Sequence, residues 1–371
     1  MPKLLHTADI HLGAPFKNLG EKGKEVRRAL RETFSALLRL AADERVDLVL
    51  IAGDLFDANR VPADLVDFAV AEIAAARVPV CILPGTHDCL DTSSVYHGAK
   101  FGGIENLFIF TEGVTHKVYA DLGLTIHGRA NSANKSLQSP LAGISPNADT
   151  RWNVAMAHGS IRIESKSAPD DYPVSLEEIA ASGMDYVALG HWHVAQDFSR
   201  GKTKAWYCGT PENLTFDERS PAGQALLVTI DDTGVSVESR ETGRYSWREV
   251  SMDAAEVNDE PALLGKLKPL AGSRTLLKLR LTGLAHLDFI PNEDRLRELL
   301  AEQFFHVAVD TRAVHLMETE LNLSAYPEST VAGRFLRIMQ EKAHAAPEGE
   351  RREYEEALQV GLALLKGKNI L

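Results

Sequence analysis

The stretch Leu83-Pro84-Gly85-Thr86-His87-Asp88 follows an apolar run that begins at Val78 and is interrupted only by Pro79. A short apolar run that stops at Pro-Gly is typical of a buried strand that ends in a turn. In open α/β folds the ligand crevice lies beyond the carboxyl ends of the strands, so reactive side chains are presented at such turns. We therefore expect His87 to be presented at a strand end rather than packed in the core.

Two strand-and-helix units precede this turn. Residues 3–8 and the continuous apolar run 48–52 are predicted strands, and an acidic residue follows each of them within two positions. Residues 24–45 and 63–76 carry apolar side chains at helical spacing, so we expect a helix in each. Alternation of strand and helix predicts a parallel sheet with right-handed crossovers.

Short strands at closer spacing follow the turn. The predicted strands cover residues 107–110, 116–119, 124–127, 153–157, 186–189, 204–207, 224–230 and 235–239. The turn Asp231-Asp232-Thr233-Gly234 joins the last two, and we expect the last three to be antiparallel.

A polar and acidic segment at residues 246–260 marks a predicted domain boundary. One helix and two strands after it are predicted to form a small α+β unit, and two charged amphipathic helices follow. These elements span residues 276–281, 292–303, 306–314, 331–344 and 350–365. The predicted domains are residues 1–245, 246–325 and 326–371.

The bulk composition is that of an ordinary globular protein. Of the 371 residues, 44% are hydrophobic and 25% are charged, and no apolar run approaches the ~20 residues that a membrane helix needs. The three cysteines form no C-x-x-C pair and no signal-peptide core follows Met1, so we expect a reduced, cytoplasmic protein. A net charge of -12 gives no general attraction for nucleic acid. Local basic groups or bound cations must therefore attract any phosphate-bearing substrate.

Acidic and imidazole side chains recur at five predicted strand ends. They are Asp9, His11, Asp54, His87, His158, His191 and His193. Mixed carboxylate and imidazole donors suit manganese, iron or zinc better than magnesium or calcium, which prefer oxygen ligands. A carboxylate can bridge two ions ~3.5–4 Å apart, and Asp54, which follows a central strand, is the natural bridge. Such a pair generates hydroxide near neutral pH and supports in-line displacement at phosphorus.

Each of these residues alone has a plainer explanation. An aspartate after a β-α turn is commonly a helix N-cap, as Asp9 or Asp54 would be. A lone His158 would usually be a structural hydrogen-bonding group, and His191 and His193 would be neighbours on one strand face. The occurrence of all five clusters in one chain favours a metal centre. We expect only structural roles for the other histidines, His6, His97, His116, His127, His286, His306 and His315.

The five clusters resemble the ordered motifs of the calcineurin-like metallophosphoesterases: Asp-x-His, Gly-Asp-x-x-Asp, Gly-x-His-Asp, His-Gly and Gly-His-x-His. Within that superfamily, three stretches look like the opening and closing motifs of the SbcD-type DNA repair exonucleases. They are His6-Thr7-Ala8-Asp9-Ile10-His11-Leu12-Gly13, Ala188-Leu189-Gly190-His191-Trp192-His193 and Tyr207-Cys208-Gly209-Thr210-Pro211-Glu212. The resemblance covers about residues 1–240, and the C-terminal region is more loosely similar to the YhaO-like branch. It implies an α/β sandwich of two central β-sheets flanked by helices, with a small α+β cap domain and C-terminal helices.

The resemblance also implies two metal sites, which we expect to hold manganese, with iron or zinc as alternatives. The first site would be formed by Asp9, His11, Asp54 and His193. The second would be formed by Asp54, His158, His191 and the residue before the catalytic histidine, which is Thr86. His87 would stabilise charge at phosphorus or protonate the leaving oxygen, with Asp88 orienting its imidazole.

Three functions remain open. The resemblance implies a metal-dependent phosphodiesterase that hydrolyses DNA, with an SbcC-like ABC-type coiled-coil ATPase as partner and a possible homodimer. The alternatives are a phosphoesterase on nucleotides or other small substrates, and a mainly partner- or DNA-binding subunit with a weakened second metal site. Candidate contacts to the DNA backbone are Arg129, Arg162, Lys202 and Lys204, with Lys135, Lys166 and Arg200 in the same predicted loops. Any one of these residues is more simply explained as a solvated surface charge.

Thr86 departs from the family pattern, which has asparagine at this position. A threonine hydroxyl is a shorter and poorer neutral donor than an amide carbonyl, so we expect weaker binding at the second site or a water between Thr86 and the metal. Thr86→Asn should therefore increase the number of Mn²⁺ ions bound per chain, measured by equilibrium titration. Tight binding of two ions by both proteins would contradict this prediction.

Overall fold

The structure, a computed structural model, describes residues 1–163, 167–216, 222–285, 289, 291–316 and 326–365. The chain divides into two units, Met1–Ser246 and Trp247–Leu371. The three-domain division of the sequence stays a prediction. Within the described ranges, no helix combines the length and apolar character that a membrane crossing requires.

The first unit contains twelve strands and three α-helices in its described residues. In chain order these are β1 (Lys3–Thr7), α1 (Gly23–Asp43), β2 (Leu48–Ile51), α2 (Ala63–Ala75), β3 (Val80–Ile82), β4 (Leu107–Ile109), β5 (Thr115–Tyr119), β6 (Leu124–Gly128), β7 (Trp152–His158), α3 (Leu176–Ala181), β8 (Tyr186–Gly190), β9 (Gln196–Asp197), β10 (Lys204–Tyr207), β11 (Gln224–Asp231) and β12 (Gly234–Glu241). They form two six-stranded sheets, with strand orders β12-β11-β1-β2-β3-β4 and β5-β6-β7-β8-β10-β9.

The core of the first unit lies between the two sheets. Alternate residues of the first sheet, among them Leu4 and Leu50, pack in one buried cluster with Ile126, Val154 and Tyr186 of the second sheet. The opposite faces carry helices, since α1 buries one apolar stripe and Ile179 of α3 joins the outer cluster of the second sheet. Both faces of each central strand are thus covered, which explains their continuous apolar sequences. The predicted α/β sandwich is confirmed.

Strands β1, β2, β3 and β4 run parallel, as the opening pattern of the sequence predicts. The prediction of an antiparallel strand at residues 204–207 is wrong in part. Strand β10 runs parallel to β8, and it is antiparallel only to the two-residue strand β9. The reason is that β9 and β10 form a hairpin whose second strand inserts beside β8, leaving β9 at the sheet edge.

The second unit contains a three-stranded sheet and a helical pair. Its elements are β13 (Ser246–Asp253), α4 (Glu260–Leu267), β14 (Gly272–Ala285), α5 (Glu293–Leu300), β15 (Phe304–Leu316), α6 (Val331–Ala345) and α7 (Glu348–Leu365). The strand order is β13-β14-β15, with β14 parallel to β15. Leu336 of α6 packs against Leu358 and Leu362 of α7.

Helices α3 and α4 and strands β9 and β13 are not predicted from the sequence. Much of the polar segment 246–260 is strand β13, whose side chains largely alternate between half-buried and exposed, so the segment is more than a boundary. Helix α3 begins with a complete capping box between Ser175 and Glu178, a signal that the sequence does contain. Helix α4 is likewise capped by Asp259. Both helices are short, and periodicity is weak over so few residues.

Glu212 connects distant parts of the first unit. Its buried carboxylate accepts hydrogen bonds from the Thr33 hydroxyl at 2.8 Å and from the main-chain N–H groups of Arg244 and Tyr245 at 2.7 and 2.9 Å. Helix α1 is thereby tied to the segment that follows β12.

Replacing Glu212 with alanine leaves three donors without this acceptor. Since an unsatisfied buried donor costs about 1–3 kcal/mol, we expect Glu212→Ala to lower the free energy of unfolding by about 3 kcal/mol, measured by urea denaturation. The control is Glu238→Ala, which removes an exposed carboxylate paired with Arg240 and should change stability by less than about 1 kcal/mol. Equal losses in both variants would refute the role of Glu212.

Candidate metal centre

The loops after β1 and β2 are joined by main-chain hydrogen bonds. The N–H of Asp9 donates to the Gly53 carbonyl at 3.0 Å, and the N–H of His11 donates to the Asp54 carbonyl at 3.0 Å. These bonds extend the parallel pairing of the two strands beyond the sheet edge. The side chains of Asp9, His11 and Asp54 are therefore placed side by side.

Four residues of the centre have a left-handed backbone. The φ angles of Asp9, His11, Asp54 and His191 are 53°, 50°, 52° and 107°. Non-glycine residues rarely occupy this region, and holding one there costs about 1–3 kcal/mol. The backbone is strained at the residues that the motifs single out, which is typical of functional sites.

Two glycines of the motifs allow side chains to approach closely. A Cβ atom on Gly53, whose φ is 101°, would overlap the ring of His158. A Cβ atom on Gly85 would overlap the carboxylate of Asp54. The glycines before Asp54 and Thr86 are thus required by the packing of the centre.

The first group of candidate ligands comprises Asp9, His11 and His193, whose donor atoms all lie within 4.8 Å of one another. Nδ1 of His11 contacts a carboxylate oxygen of Asp57 at 3.1 Å, which leaves Nε2 as the ligand atom. That Nε2 is buried, has no hydrogen-bond partner among the described residues, and lies 3.7 Å from Oδ2 of Asp54. A buried nitrogen without a partner fits a position that faces a metal ion.

The second group comprises Asp54, His158 and His191, again within 4.8 Å. Nδ1 of His158 donates to the Ala52 carbonyl at 2.9 Å, and its Nε2 lies 3.3 Å from Oδ2 of Asp54. A carbonyl acceptor on one ring nitrogen fixes the other as a ligand atom. Asp54 lies close to both groups, as the predicted bridge should.

The electrostatics of the centre favour bound positive charge. Burial lowers the pKa of His158, but the Asp54 carboxylate outweighs burial and raises it to about 10. Burial likewise lowers the pKa of His11, and the hydrogen bond to Asp57 together with nearby Asp54 raises it overall. For Asp54, burial opposes ionisation, yet the surrounding imidazoles hold its pKa well below the usual range. Carboxylates buried this deeply require cations beside them.

Thr86 lies where the resemblance places it. Its buried hydroxyl is 3.3 Å from Oδ2 of Asp54 and 3.3 Å from Nε2 of His158. The hydroxyl therefore borders the second group of candidate ligands. Its role as a metal ligand stays a prediction.

His87 is presented at the turn as expected, with 51% of its side chain exposed. Its N–H donates to Oδ1 of Asp54 at 2.8 Å, and Nδ1 of its ring donates to the main-chain carbonyl of Asp57 at 2.9 Å. The ring also meets His11 edge to face, with ring centroids 4.6 Å apart. These contacts orient the imidazole and leave Nε2 as the ring atom available to a substrate.

The expectation that Asp88 orients His87 is wrong. The buried carboxylate of Asp88 accepts hydrogen bonds from the N–H groups of Gly85 and Phe56 at 2.8 and 3.1 Å, and from the Tyr96 hydroxyl at 2.6 Å. Its oxygens face the inside of the turn, so it stabilises the loop that carries His87. The orienting contact comes from Asp57 instead.

Two further aspartates, to which the sequence patterns assign no role, contact histidines of the candidate centre. Asp57 contacts His11 through its carboxylate and His87 through its main-chain carbonyl, and it is the second aspartate of the Gly-Asp-x-x-Asp motif. Oδ2 of Asp171 accepts a hydrogen bond from Nε2 of His191 at 2.9 Å and another from the Ser160 hydroxyl. Burial alone would raise the pKa of Asp171, but the bond to His191 lowers it. No local pattern marks Asp171, which lies in a loop after β7.

Asp9 and Asp54 are not helix N-caps, because Lys22 and Pro62 occupy the N-cap positions of α1 and α2.

Several other histidines are structural, as expected. Buried His6 bonds the Tyr186 hydroxyl, and burial lowers its pKa to about 3. His97 bonds a carbonyl and His127 bonds Asn153. His286 and the side chain of His315 lie outside the described residues.

Most of the residues predicted to contact DNA either bond within the fold or lie away from the metal centre. Arg129 is half-buried and donates to the Ala142 carbonyl at 2.7 Å, so it serves the fold. Lys204 pairs with Tyr186 at the start of β8, and Lys202 lies two residues before it. Both therefore lie at the sheet edge opposite the metal centre, ~13 Å of strand away.

Arg162 is exposed beyond the carboxyl end of β7, on the same side of the sheet as the metal centre. Of the nearby residues, Lys166 lies outside the described part, Lys135 pairs with Asp170, and Arg200 bonds its own turn.

A sequence model described as "Calcineurin-like phosphoesterase" matches residues 2–195. The chain belongs to the calcineurin-like phosphoesterase family. Family members are metal-dependent hydrolases of phosphate esters, and the matched range contains every residue of the candidate centre. The resemblance noted in the sequence is thereby confirmed.

Three curated relatives are similar in sequence to this phosphoesterase. The uncharacterized metallophosphoesterase YhaO of Bacillus subtilis (strain 168) is 28% identical over 296 residues, covering 75% of this chain and 68% of YhaO. One component of the nuclease SbcCD from the same organism is 25% identical over 290 residues, covering 68% of this chain and 70% of that component. The DNA double-strand break repair protein Mre11 of Aeropyrum pernix is 27% identical over 281 residues, covering 69% of this chain. This alignment spans 64% of that Mre11, less than two thirds of its length.

Asp171 should strengthen the second metal group through His191. A carboxylate that accepts a hydrogen bond from a ligating imidazole raises the basicity of the ring and fixes its orientation, and losing it typically costs 10–100-fold in metal affinity. We expect Asp171→Asn to weaken Mn²⁺ binding at the second site by about tenfold, measured by isothermal titration. The matched control is Asp170→Asn, whose exposed carboxylate pairs with Lys135. Identical isotherms for the two variants would rule out this role.

Proposed function

We propose that this metallophosphoesterase is a metal-dependent phosphodiesterase that hydrolyses DNA. The observation that carries the proposal is the position of Asp54, which belongs to one group of carboxylate and imidazole donors and lies 3.7 Å from His11 of the other, with His87 beside it. That arrangement suits in-line displacement at phosphorus. DNA as the substrate is supported by relatives that are named for nuclease activity and for double-strand break repair.

The chain provides ligands for two divalent ions. One ion would be held by Asp9, His11, Asp54 and His193, and the other by Asp54, Thr86, His158 and His191. Mixed oxygen and nitrogen donors favour manganese, with iron or zinc as alternatives. Bound ions supply a water-derived nucleophile at neutral pH and neutralise charge on the phosphate.

His87 provides the proton. In its protonated form the ring keeps the Nδ1 proton on the Asp57 carbonyl and can release the Nε2 proton to the departing oxygen. Its main-chain bond to Asp54 holds the ring at a fixed distance from the metal ligands. The exposed half of the ring lets a large substrate reach it.

The second unit supports a role with a macromolecular partner. Helices α6 and α7 expose Val331, Ile338, Leu364 and Leu365, with exposed fractions of 41–74%. Apolar side chains on a helical pair suit docking on another helix. We therefore assign this pair to an SbcC-like coiled-coil ATPase. A homodimer and a cytoplasmic location belong to the same proposal, the latter because the three cysteines are free and buried.

The proposal is tested with a labelled DNA oligonucleotide and Mn²⁺. We expect wild-type protein to cleave the DNA and His87→Ala to lower kcat by at least about 100-fold, because general acid catalysis contributes about 10²–10⁴-fold. The control is His97→Ala, which removes an exposed histidine that bonds only the Asp91 carbonyl among the described residues and should keep wild-type activity.

Two outcomes would replace the proposal. Hydrolysis of bis(p-nitrophenyl) phosphate or nucleotides without DNA cleavage would favour a small-molecule phosphoesterase. Absence of any hydrolysis, with and without the ATPase, would favour a binding protein with a weakened metal centre.

A further inference from the structure

A basic cavity in the first unit borders the loop that carries the candidate ligand His11. It has a volume of about 300 Å³ and is lined by Gly13, Lys24, Arg27, Arg28, Arg31 and Leu65. Gly13 follows the candidate ligand His11 by two residues, or at most ~7 Å of extended chain. The cavity therefore borders the same loop that carries the metal ligand.

The four basic residues form one stripe on α1. They occupy positions i, i+3, i+4 and i+7 from Lys24 to Arg31, which places them on one face of the helix. Seven residues of helix rise ~10 Å, and one DNA strand carries a phosphate every ~3.4 Å along the duplex axis. The stripe thus spans about three phosphate-to-phosphate steps of one strand. It also starts at the amino end of α1, where the helix dipole is positive.

Three of these cations are held by exposed ion pairs. Lys24 pairs with Glu21 at 2.6 Å, Arg28 with Glu32 at 2.8 Å, and Arg31 with Asp64 at 2.9 Å. Exposed pairs contribute little to stability, so a phosphate can displace the carboxylates at small cost. These cations are therefore available to a polyanion.

Arg27 differs from the other three. Its guanidinium donates to the neutral carbonyl of Pro15 at 2.5 Å, and no carboxylate pairs with it among the described residues. Pro15 belongs to the loop that begins at the metal ligands, so Arg27 is linked directly to that loop. Among the four cations of the stripe, Arg27 is therefore the one whose charge is not compensated by a carboxylate of the described residues.

We propose that this basic cavity binds the sugar-phosphate backbone of DNA on one side of the bond that is cleaved. The inference rests on the proposed DNA substrate. In a chain with a net charge of -12, a local cluster of cations is what can hold a polyanion against general repulsion. Neighbouring phosphates held on α1 would position the next one at the metal centre.

The test measures affinity of the full chain for a fluorescent DNA duplex by anisotropy, in EDTA, over a series of salt concentrations. The slope of log affinity against log salt is negative, and its magnitude counts the phosphate contacts. We expect Arg27→Ala to reduce that magnitude by about one and Arg27→Ala/Arg31→Ala to reduce it by about two. Arg27→Lys keeps the charge and should keep the slope, which separates charge from packing. The matched control is Arg39→Ala, which removes an exposed arginine of α1 outside the cavity.

The same proteins are then assayed for cleavage of DNA and of bis(p-nitrophenyl) phosphate with Mn²⁺. We expect Arg27→Ala/Arg31→Ala to lose at least about tenfold more activity on DNA than on the small diester. If wild type cleaves DNA and the double variant binds and cleaves it as Arg39→Ala does, the cavity proposal is wrong and the proposed function stands. If wild type cleaves the small diester and not DNA, the proposed function and this inference both fail.

Discussion

The carboxylate of Asp54 is the interaction on which the centre depends. One of its oxygens accepts the main-chain N–H of His87, and the other faces His11, Thr86 and His158. Strands of both sheets therefore converge on a single buried anion. Such a group is costly to bury without partners, so its neighbours must present donors or cations. The imidazoles around it meet that requirement, and the same imidazoles make the site a ligand set for metals.

Much of this arrangement could be predicted from the sequence, because it follows from local rules. Apolar runs predict the strands, and a polar residue just after a parallel strand lies at the shared carboxyl edge of the sheet. Asp9, Asp54 and His158 each occupy such a position, so their convergence follows from topology. The bridging place of Asp54 follows from its central strand.

The remainder depends on contacts between residues far apart in sequence. Asp88 adjoins His87, yet Tyr96 and the N–H of Phe56 draw its carboxylate inward. Asp171 reaches His191 from a loop without a motif. Lys204 lies near the motifs in sequence, but the parallel direction of β10 carries it to the far edge. Side-chain direction and strand direction are thus set by partners that no local pattern reveals.

The left-handed backbone at Asp9, His11 and Asp54 has a consequence for how this protein can change over generations. Glycine fits that conformation without strain, and asparagine tolerates it better than most residues. Either residue would relieve the backbone strain at these positions, but at Asp54 glycine would also remove the acceptor of the His87 main-chain N–H. Substitution at these positions therefore exchanges relief of backbone strain against loss of the contacts that the side chain makes.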